Sequence, residues 1–143
     1  MDELNKAVTK AFANTFVYYY KAHAFHWNLR DKDFPEFHGF FGDLWEEVFE
    51  AVDPFAEKIR TLQTDVPSTM GQLIALANII EQPNVIAKDL MVAELLSDGE
   101  TIINSLREAY NLCDLYGKFG FENFLAERID AHEKHNWMLR SSM

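Results

Sequence analysis

The segment HWNLRDKDFPEFH, residues 26–38, begins and ends with a histidine. The chain contains five histidines in all, so two of them at the ends of one turn-like segment are notable. Imidazole nitrogen is a common ligand of iron, zinc and other transition metals. If the segment joins two antiparallel helices, the rings of His26 and His38 lie close enough to share a metal ion. The alternative is that they only flank a connection between helices.

Two carboxylates lie further along the chain, at Asp53 and Glu57. Residues four apart occupy one face of a helix, so the two carboxylates are predicted to be neighbours. Carboxylate oxygen and imidazole nitrogen together suit ferrous iron, manganese or zinc. Two other readings stay open: Asp53 also fits a helix N-cap before Pro54, and Glu57 alone is typical of a solvated helix face.

The spacing between the two pairs sets a condition on any shared site. His38 and Asp53 are fifteen residues apart, which on one continuous helix is roughly 22 Å. Metal–ligand bonds are only about 2 Å long. One chain can therefore unite the pairs only if Pro54 folds the helix back, whereas two chains related by a two-fold axis can bring them together. If the four residues share a metal, the protein is at least a dimer.

Other metal-binding arrangements are absent from the sequence. The di-iron site in the core of ferritin-like bundles requires Glu-x-x-His, and no histidine here is preceded by glutamate at three residues. The segment HEKH places His132 and His135 three residues apart, whereas zinc proteases place their histidines four apart. We predict that these two histidines face solvent or a subunit contact rather than a metal. His23 lies near the face of His26, where the alternatives are support of the metal ligands and packing, and we favour packing.

Apolar residues recur at helical spacing through most of the chain, which predicts an all-α protein of one domain, residues 1–143. Asp33, Pro35 and Glu36 form the pattern of a capping box, and Ser68 is a candidate cap of a short helix. Pro54 either kinks the second helix or restarts it. A short helix between the second and third long ones predicts a four-helix bundle with a crossover connection. The predicted long helices cover residues 3–29, 34–62, 84–115 and 120–139.

Composition narrows the class of protein. The chain has 143 residues, 48% of them hydrophobic, and no run approaches the roughly 18 apolar residues of a membrane-spanning helix. Cys113 is the only cysteine, which fits a reducing compartment, and the N-terminus lacks the pattern of a secretory signal, so we expect a cytoplasmic protein. The net charge of −10 and the absence of a basic tail argue against DNA binding and suit attraction of cations.

Two segments together resemble one known family. Residues 26–57, H-W-N-L-R…F-H…D-P-F-A-E, look like the signature of the Dps proteins, the DNA-binding proteins from starved cells, which are mini-ferritins. Residues 127–142, ERIDAHEKHNWMLRSS, resemble the C-terminal region of the same family. The resemblance implies a ferritin-like four-helix subunit in a hollow shell of twelve chains. Such shells oxidise Fe(II) to Fe(III), here expected to use hydrogen peroxide, and store the ferric mineral inside.

The resemblance also implies the roles of individual residues. The ferroxidase sites lie between two-fold-related subunits, with His26 and His38 from one subunit and Asp53 and Glu57 from its neighbour. Iron is the only cofactor implied. The alternatives are a DNA-binding protein of the nucleoid with little ferroxidase role, and a helical oligomer without chemistry.

The chain departs from the family pattern at one position. The family usually has an acidic residue four positions after the second histidine, where this chain has Gly42. Asp43 follows directly and is kept as a candidate metal ligand. Asp114 and Glu122 are candidates for the acidic lining of a pore between subunits. Three glutamates are expected on a solvated face of the second helix: Glu46, Glu47 and Glu50.

Overall fold

The computed structural model describes residues 1–143 and contains six α-helices and no strand. No helix combines the length and apolar character needed to cross a membrane. The predicted all-α bundle is confirmed, including the short helix in the crossover connection. The helices are α1 (Asp2–Asn28), α2 (Phe34–Glu50), α3 (Val52–Thr61), α4 (Met70–Leu76), α5 (Lys88–Leu115) and α6 (Phe119–Ser141).

The predicted second helix is broken into two at Ala51. Ala51 lies in a turn and is the N-cap of α3, so the alternative reading in which Asp53 caps the new helix is wrong. Pro54 is the third residue of α3, where a backbone N–H would have no partner within the helix. The Phe55 N–H then donates to the Ala51 carbonyl at 3.0 Å and continues the helix. The proline therefore favours a new start at this bend.

Other helix ends differ from the prediction by a few residues. Thr69 caps α4 with a full capping box to Gln72, one residue after the predicted Ser68. Asp33 is the N-cap of α2 but its side chain makes no capping bond, and its own N–H donates to the Asp31 carboxylate at 2.8 Å. The third long helix begins at Lys88 because residues 77–87 pass along the bundle as a loop.

Short turns make two helical hairpins, α1–α2 and α5–α6, and α1 also packs against α5. The α5–α6 turn depends on Gly117, whose φ of 70° is a left-handed conformation that glycine adopts without strain. The N–H groups of Gly117 and Lys118 donate to the carbonyls of Asp114 and Cys113, the pattern of a Schellman motif. The hairpins enclose an apolar core that includes Leu4, Tyr18, Phe41, Phe55, Ile59, Leu95, Ile102, Leu106, Leu125 and Leu139.

Polar side chains of α1 hold the crossover loop against the bundle. Asn14 Oδ1 accepts the backbone N–H groups of Asn78 and Ile79 at 2.9 and 3.2 Å. The buried Lys21 ammonium donates to the Ile80 carbonyl at 2.6 Å and to Asp98 at 2.7 Å. These bonds satisfy backbone groups that no helix can satisfy in this loop.

Candidate metal centre

The two histidines of residues 26–38 lie against each other, as the segment between them predicted. Their rings are stacked with centroids 3.8 Å apart and planes 13° apart. Phe34, at the start of α2, stacks on His38 with a centroid distance of 4.7 Å. The turn between α1 and α2 therefore produces a parallel stack of three rings, which restricts the rotation of both imidazoles.

Backbone hydrogen bonds fix the tautomer of both rings. His26 Nδ1 lies 2.6 Å from the His38 carbonyl oxygen, and His38 Nδ1 lies 2.8 Å from the His26 carbonyl oxygen. A carbonyl can only accept, so each Nδ1 carries the proton and each neutral ring keeps its lone pair on Nε2. Metal-binding histidines commonly use this arrangement, in which a carbonyl holds one ring nitrogen and leaves the other for the metal. The predicted proximity is confirmed, and the role as ligands remains a prediction.

Gly42 lies directly beside the His26 ring. A Cβ atom at this position would come within 3.1 Å of His26 Cε1 and 3.3 Å of Nδ1. The residue that replaces the usual acid is therefore one that lets α2 approach the imidazole closely. Asp43 is exposed and lies about 100° further around the helix. It remains a predicted ligand and does not take the place of the missing carboxylate beside His26.

Asp53 and Glu57 are exposed neighbours on α3. A hydrogen bond from Glu57 to Asp53, and secondarily the charge of Asp53, raise the pKa of the Glu57 carboxyl. Two carboxylates held this close repel each other when both are ionised, so a bound cation would stabilise both. The predicted pairing on one helix face is confirmed.

The structure does not bring the histidine pair and the carboxylate pair together within one chain. No group of three or more His, Cys, Asp or Glu side chains is arranged to hold a metal ion. The bend at Ala51 is therefore not the sharp reversal that a single-chain site requires. The four residues therefore form two separate pairs, the histidines at the turn between α1 and α2 and the carboxylates on α3.

An aromatic cluster surrounds His23, one turn before His26. The imidazole stacks on Trp45 at 3.7 Å and contacts Trp27 at 3.9 Å between centroids. Its Nδ1 lies 3.1 Å from the Tyr19 hydroxyl. Burial, and next the proximity of His26, lower the pKa of His23. The prediction that His23 packs is confirmed, and Trp27 lies beside the candidate site with 54% of its surface exposed.

The prediction for His132 and His135 is wrong. Both lie inside the bundle, 0% and 5% exposed, because they lie on the inward face of α6. Burial lowers the pKa of His132 well below its usual value and lowers the pKa of His135 to about 4. The spacing of Leu125, His132 and Leu139, each seven residues apart, marks this face in the sequence.

These two histidines belong to a hydrogen-bonded ring with Arg128 and Glu47. Arg128 makes a bidentate contact with Glu47 at 2.6 and 3.0 Å, and its guanidinium lies 3.5 Å from His132 Nε2. The Nδ1 atoms of the two imidazoles lie 3.5 Å apart, and His135 Nε2 lies 3.3 Å from Glu47 Oε1. Burial alone would raise the pKa of Glu47, but the hydrogen bond and the charge of Arg128, with a smaller contribution from His135, together lower it. The Glu47 side chain is 41% exposed but is paired with buried groups of α6, so it is not the free solvated residue expected.

The two pore candidates have different surroundings. Asp114 is exposed at the end of α5. Glu122, in the first turn of α6, is hydrogen-bonded to Tyr110 and thereby raises the pKa of that phenol. Their role as a pore lining is a prediction about an assembly and stays one.

Comparison with known proteins defines the class. The sequence model of a protein family, described as Ferritin: Ferritin-like domain, matches residues 3–143 of this chain. General stress protein 20U of Bacillus subtilis is 31% identical over 98% of this chain and 97% of its own length. The DNA protection during starvation protein of Brevibacillus brevis is 26% identical over 94% of this chain and 90% of its own.

Solved structures agree with this class at the level of the whole subunit. Dps from Staphylococcus aureus is 27% identical, with a TM-score of 0.93, over 99% of this chain and 95% of its own. The Dps protein of Vibrio cholerae, described as a member of the ferritin-like diiron-carboxylate superfamily, is 25% identical with a TM-score of 0.93 over 98% and 88% of the two chains. The chain is a ferritin-like protein. Within that class it belongs to the Dps family.

Proposed function

We propose that this protein oxidises Fe(II) to Fe(III) with hydrogen peroxide at sites shared between two chains, and stores the ferric product in a shell of twelve chains. The observation that carries the proposal is the stacked pair of His26 and His38, each with Nδ1 held by a carbonyl and Nε2 left for a metal. Membership of the ferritin-like family supports iron as that metal.

The two half-sites, the histidine pair and the carboxylate pair, divide the chemistry between them. Nε2 of His26 and His38 would bind Fe(II) as neutral ligands on one chain. Asp53 and Glu57 of a second chain would supply negative charge, which becomes more favourable as the iron charge rises from +2 to +3. Two Fe(II) ions give two electrons, which with two protons reduce one hydrogen peroxide to two waters. This stoichiometry releases no hydroxyl radical.

The first test is rapid-mixing iron oxidation with peroxide or oxygen as oxidant. Wild type is expected to oxidise Fe(II) much faster than His26→Ala, and light scattering should show an assembly near twelve chains for both. Equal rates in an intact His26→Ala assembly would contradict the proposal. Slow oxidation with peroxide but fast oxidation with oxygen would contradict the proposal that peroxide is the oxidant, while the proposed ligands would still stand.

A second test asks whether the site is shared between chains. His26→Ala and Asp53→Ala each inactivate every site in their own assembly. A two-fold pair with one chain of each variant contains one doubly damaged site and one intact site. Random co-assembly at equal amounts should therefore recover about a quarter of the wild-type sites. No recovery from verified mixed assemblies would show that the half-sites do not combine across a two-fold interface.

A further inference from the structure

Tyr19 and His23 form a hydrogen-bonded pair on α1, two turns and one turn before His26. The phenol oxygen lies 3.1 Å from His23 Nδ1, and both side chains are partly buried. Binding of iron by the candidate ligands uses neither residue. Loss of an electron makes a phenol strongly acidic, so a phenol whose proton can pass to a neighbouring base is oxidised far more easily than an isolated one. The imidazole nitrogen is such a base.

Aromatic contacts connect Tyr19 to the candidate metal ligand. The ring centroid of His23 lies 5.6 Å from Tyr19 and 6.1 Å from His26. A second route passes through Trp45, whose ring lies 6.0 Å from Tyr19 and 6.4 Å from His26. Each step joins neighbouring rings, so an electron can move from Tyr19 to a metal on His26 without crossing a wide gap.

The lack of a ligating side chain at Gly42 suggests why the site would need an electron from the pair of Tyr19 and His23. Hydrogen peroxide needs two electrons to become water, and a site that holds one Fe(II) supplies only one. Glycine has no side chain to ligate a second iron, and no other acid of this chain lies beside His26 in its place. A site lacking that carboxylate is expected to meet peroxide with a single iron bound more often than a fully acidic site.

We propose that Tyr19 is an internal one-electron donor to the iron site and that His23 accepts its proton. The inference rests on the proposed function and extends it to the case of one bound iron. In the balanced step, Fe(II), the Tyr19 phenol, His23, hydrogen peroxide and two protons give Fe(III), the Tyr19 phenoxyl radical, protonated His23 and two waters. The phenolic O–H bond breaks, its proton moves to His23, and the O–O bond of peroxide accepts both electrons. A second Fe(II) and a proton later restore the phenol.

The experiment uses the assembled protein loaded with one Fe(II) per chain. Peroxide is added, and samples frozen at short times are examined by electron paramagnetic resonance. Wild type is expected to show a radical whose hyperfine pattern changes when the tyrosines are ring-deuterated. Tyr19→Phe, which keeps the ring packing against Trp45 and Phe49, should lose most of that signal.

Tyr20→Phe is the matched control. Tyr20 is the next residue and contacts both Tyr19 and Trp27, but it is 52% exposed and has no histidine partner. Its substitution should leave the radical unchanged. His23→Phe keeps an aromatic ring between Trp27 and Trp45 and removes the proton acceptor, so it should lower the yield of radical while iron still binds.

The outcomes separate this inference from the proposed function. A tyrosyl signal of equal size in Tyr19→Phe and wild type overturns the donor assignment. A signal whose hyperfine pattern does not change on tyrosine deuteration also overturns it, because the radical is then not on a tyrosine. Either result counts against the donor assignment only if ferric product forms with peroxide in the same samples. If wild type forms no ferric product faster than His26→Ala, the ferroxidase function fails and the donor assignment fails with it.

Discussion

At the scale of single residues, the carbonyl-held imidazoles make the site sensitive to small displacements. A Cβ atom at Gly42 would come within 3.1 Å of the His26 ring, whose Nδ1 is hydrogen-bonded to the His38 carbonyl. Any side chain at position 42 must push the imidazole away from α2. The orientation of the nitrogen that we propose as a metal ligand therefore depends on a residue that cannot itself bind metal.

Gly42→Ala should weaken binding of Co(II) or Zn(II) by at least about tenfold, the usual effect of disturbing the partner that orients a ligand. The new methyl group would lie 3.1 Å from His26 Cε1. Gly39→Ala is the control, because Gly39 is on the same helix and a methyl group there meets nothing within 4 Å. Calorimetric titration of both variants checks the prediction. Equal affinity in both would show that Gly42 does not control the imidazole.

The buried histidines predict how stability changes with pH. The pKa of His135 is about 4 in the folded chain and near 6.5 in the unfolded chain. Between these values the unfolded chain binds a proton that the folded chain does not, so the free energy of unfolding falls as pH falls. His135→Gln should reduce this dependence by about 1.4 kcal/mol per pH unit in that window. Urea unfolding between pH 7 and 4.5 measures both slopes, and parallel slopes would contradict the assignment.

At the scale of helices, the bundle could be predicted from the sequence. Apolar residues recur at helical spacing over long segments, and Gly and Pro are few, so the chain is predicted to form long helices that pack together. The sequence also predicted that His26 and His38 meet, since the eleven residues between them contain the turn that joins two antiparallel helices. The bend at Ala51 could not be located from Pro54 alone, because proline fits several positions of a first turn. The pairing of Glu47 was missed because a glutamate pairs inward only when Arg128, 81 residues later, faces it.

The crossover loop should depend strongly on Lys21. Its ammonium is 5% exposed and lies between Asp98 and Glu94, at 2.7 and 3.0 Å. Lys21→Met leaves a buried carboxylate without a partner, and we expect a loss of about 3–5 kcal/mol in the free energy of unfolding. Lys10→Met removes the exposed pair with Glu108 and should cost no more than about 1 kcal/mol. Chemical denaturation compares them, and similar losses would mean that Lys21 is not a structural partner of the loop.

At the scale of the whole molecule, charge bears on the second candidate function. Several relatives are named DNA protection during starvation proteins. Each chain here carries a net charge of −10. A shell of twelve chains would carry about −120, which repels the phosphate backbone at long range.

We therefore expect no retention of plasmid DNA in a gel-shift assay at low salt, where any attraction between Lys or Arg residues and phosphate would be strongest. Binding through basic residues would appear as a shift that disappears as salt is raised, since each phosphate contact releases counterions. The assay is run with metal-free and iron-loaded assemblies, because bound cations reduce the negative charge of the surface. A salt-sensitive shift of the metal-free assembly would contradict the expectation, since a strongly acidic shell would then have a local basic surface that its net charge conceals.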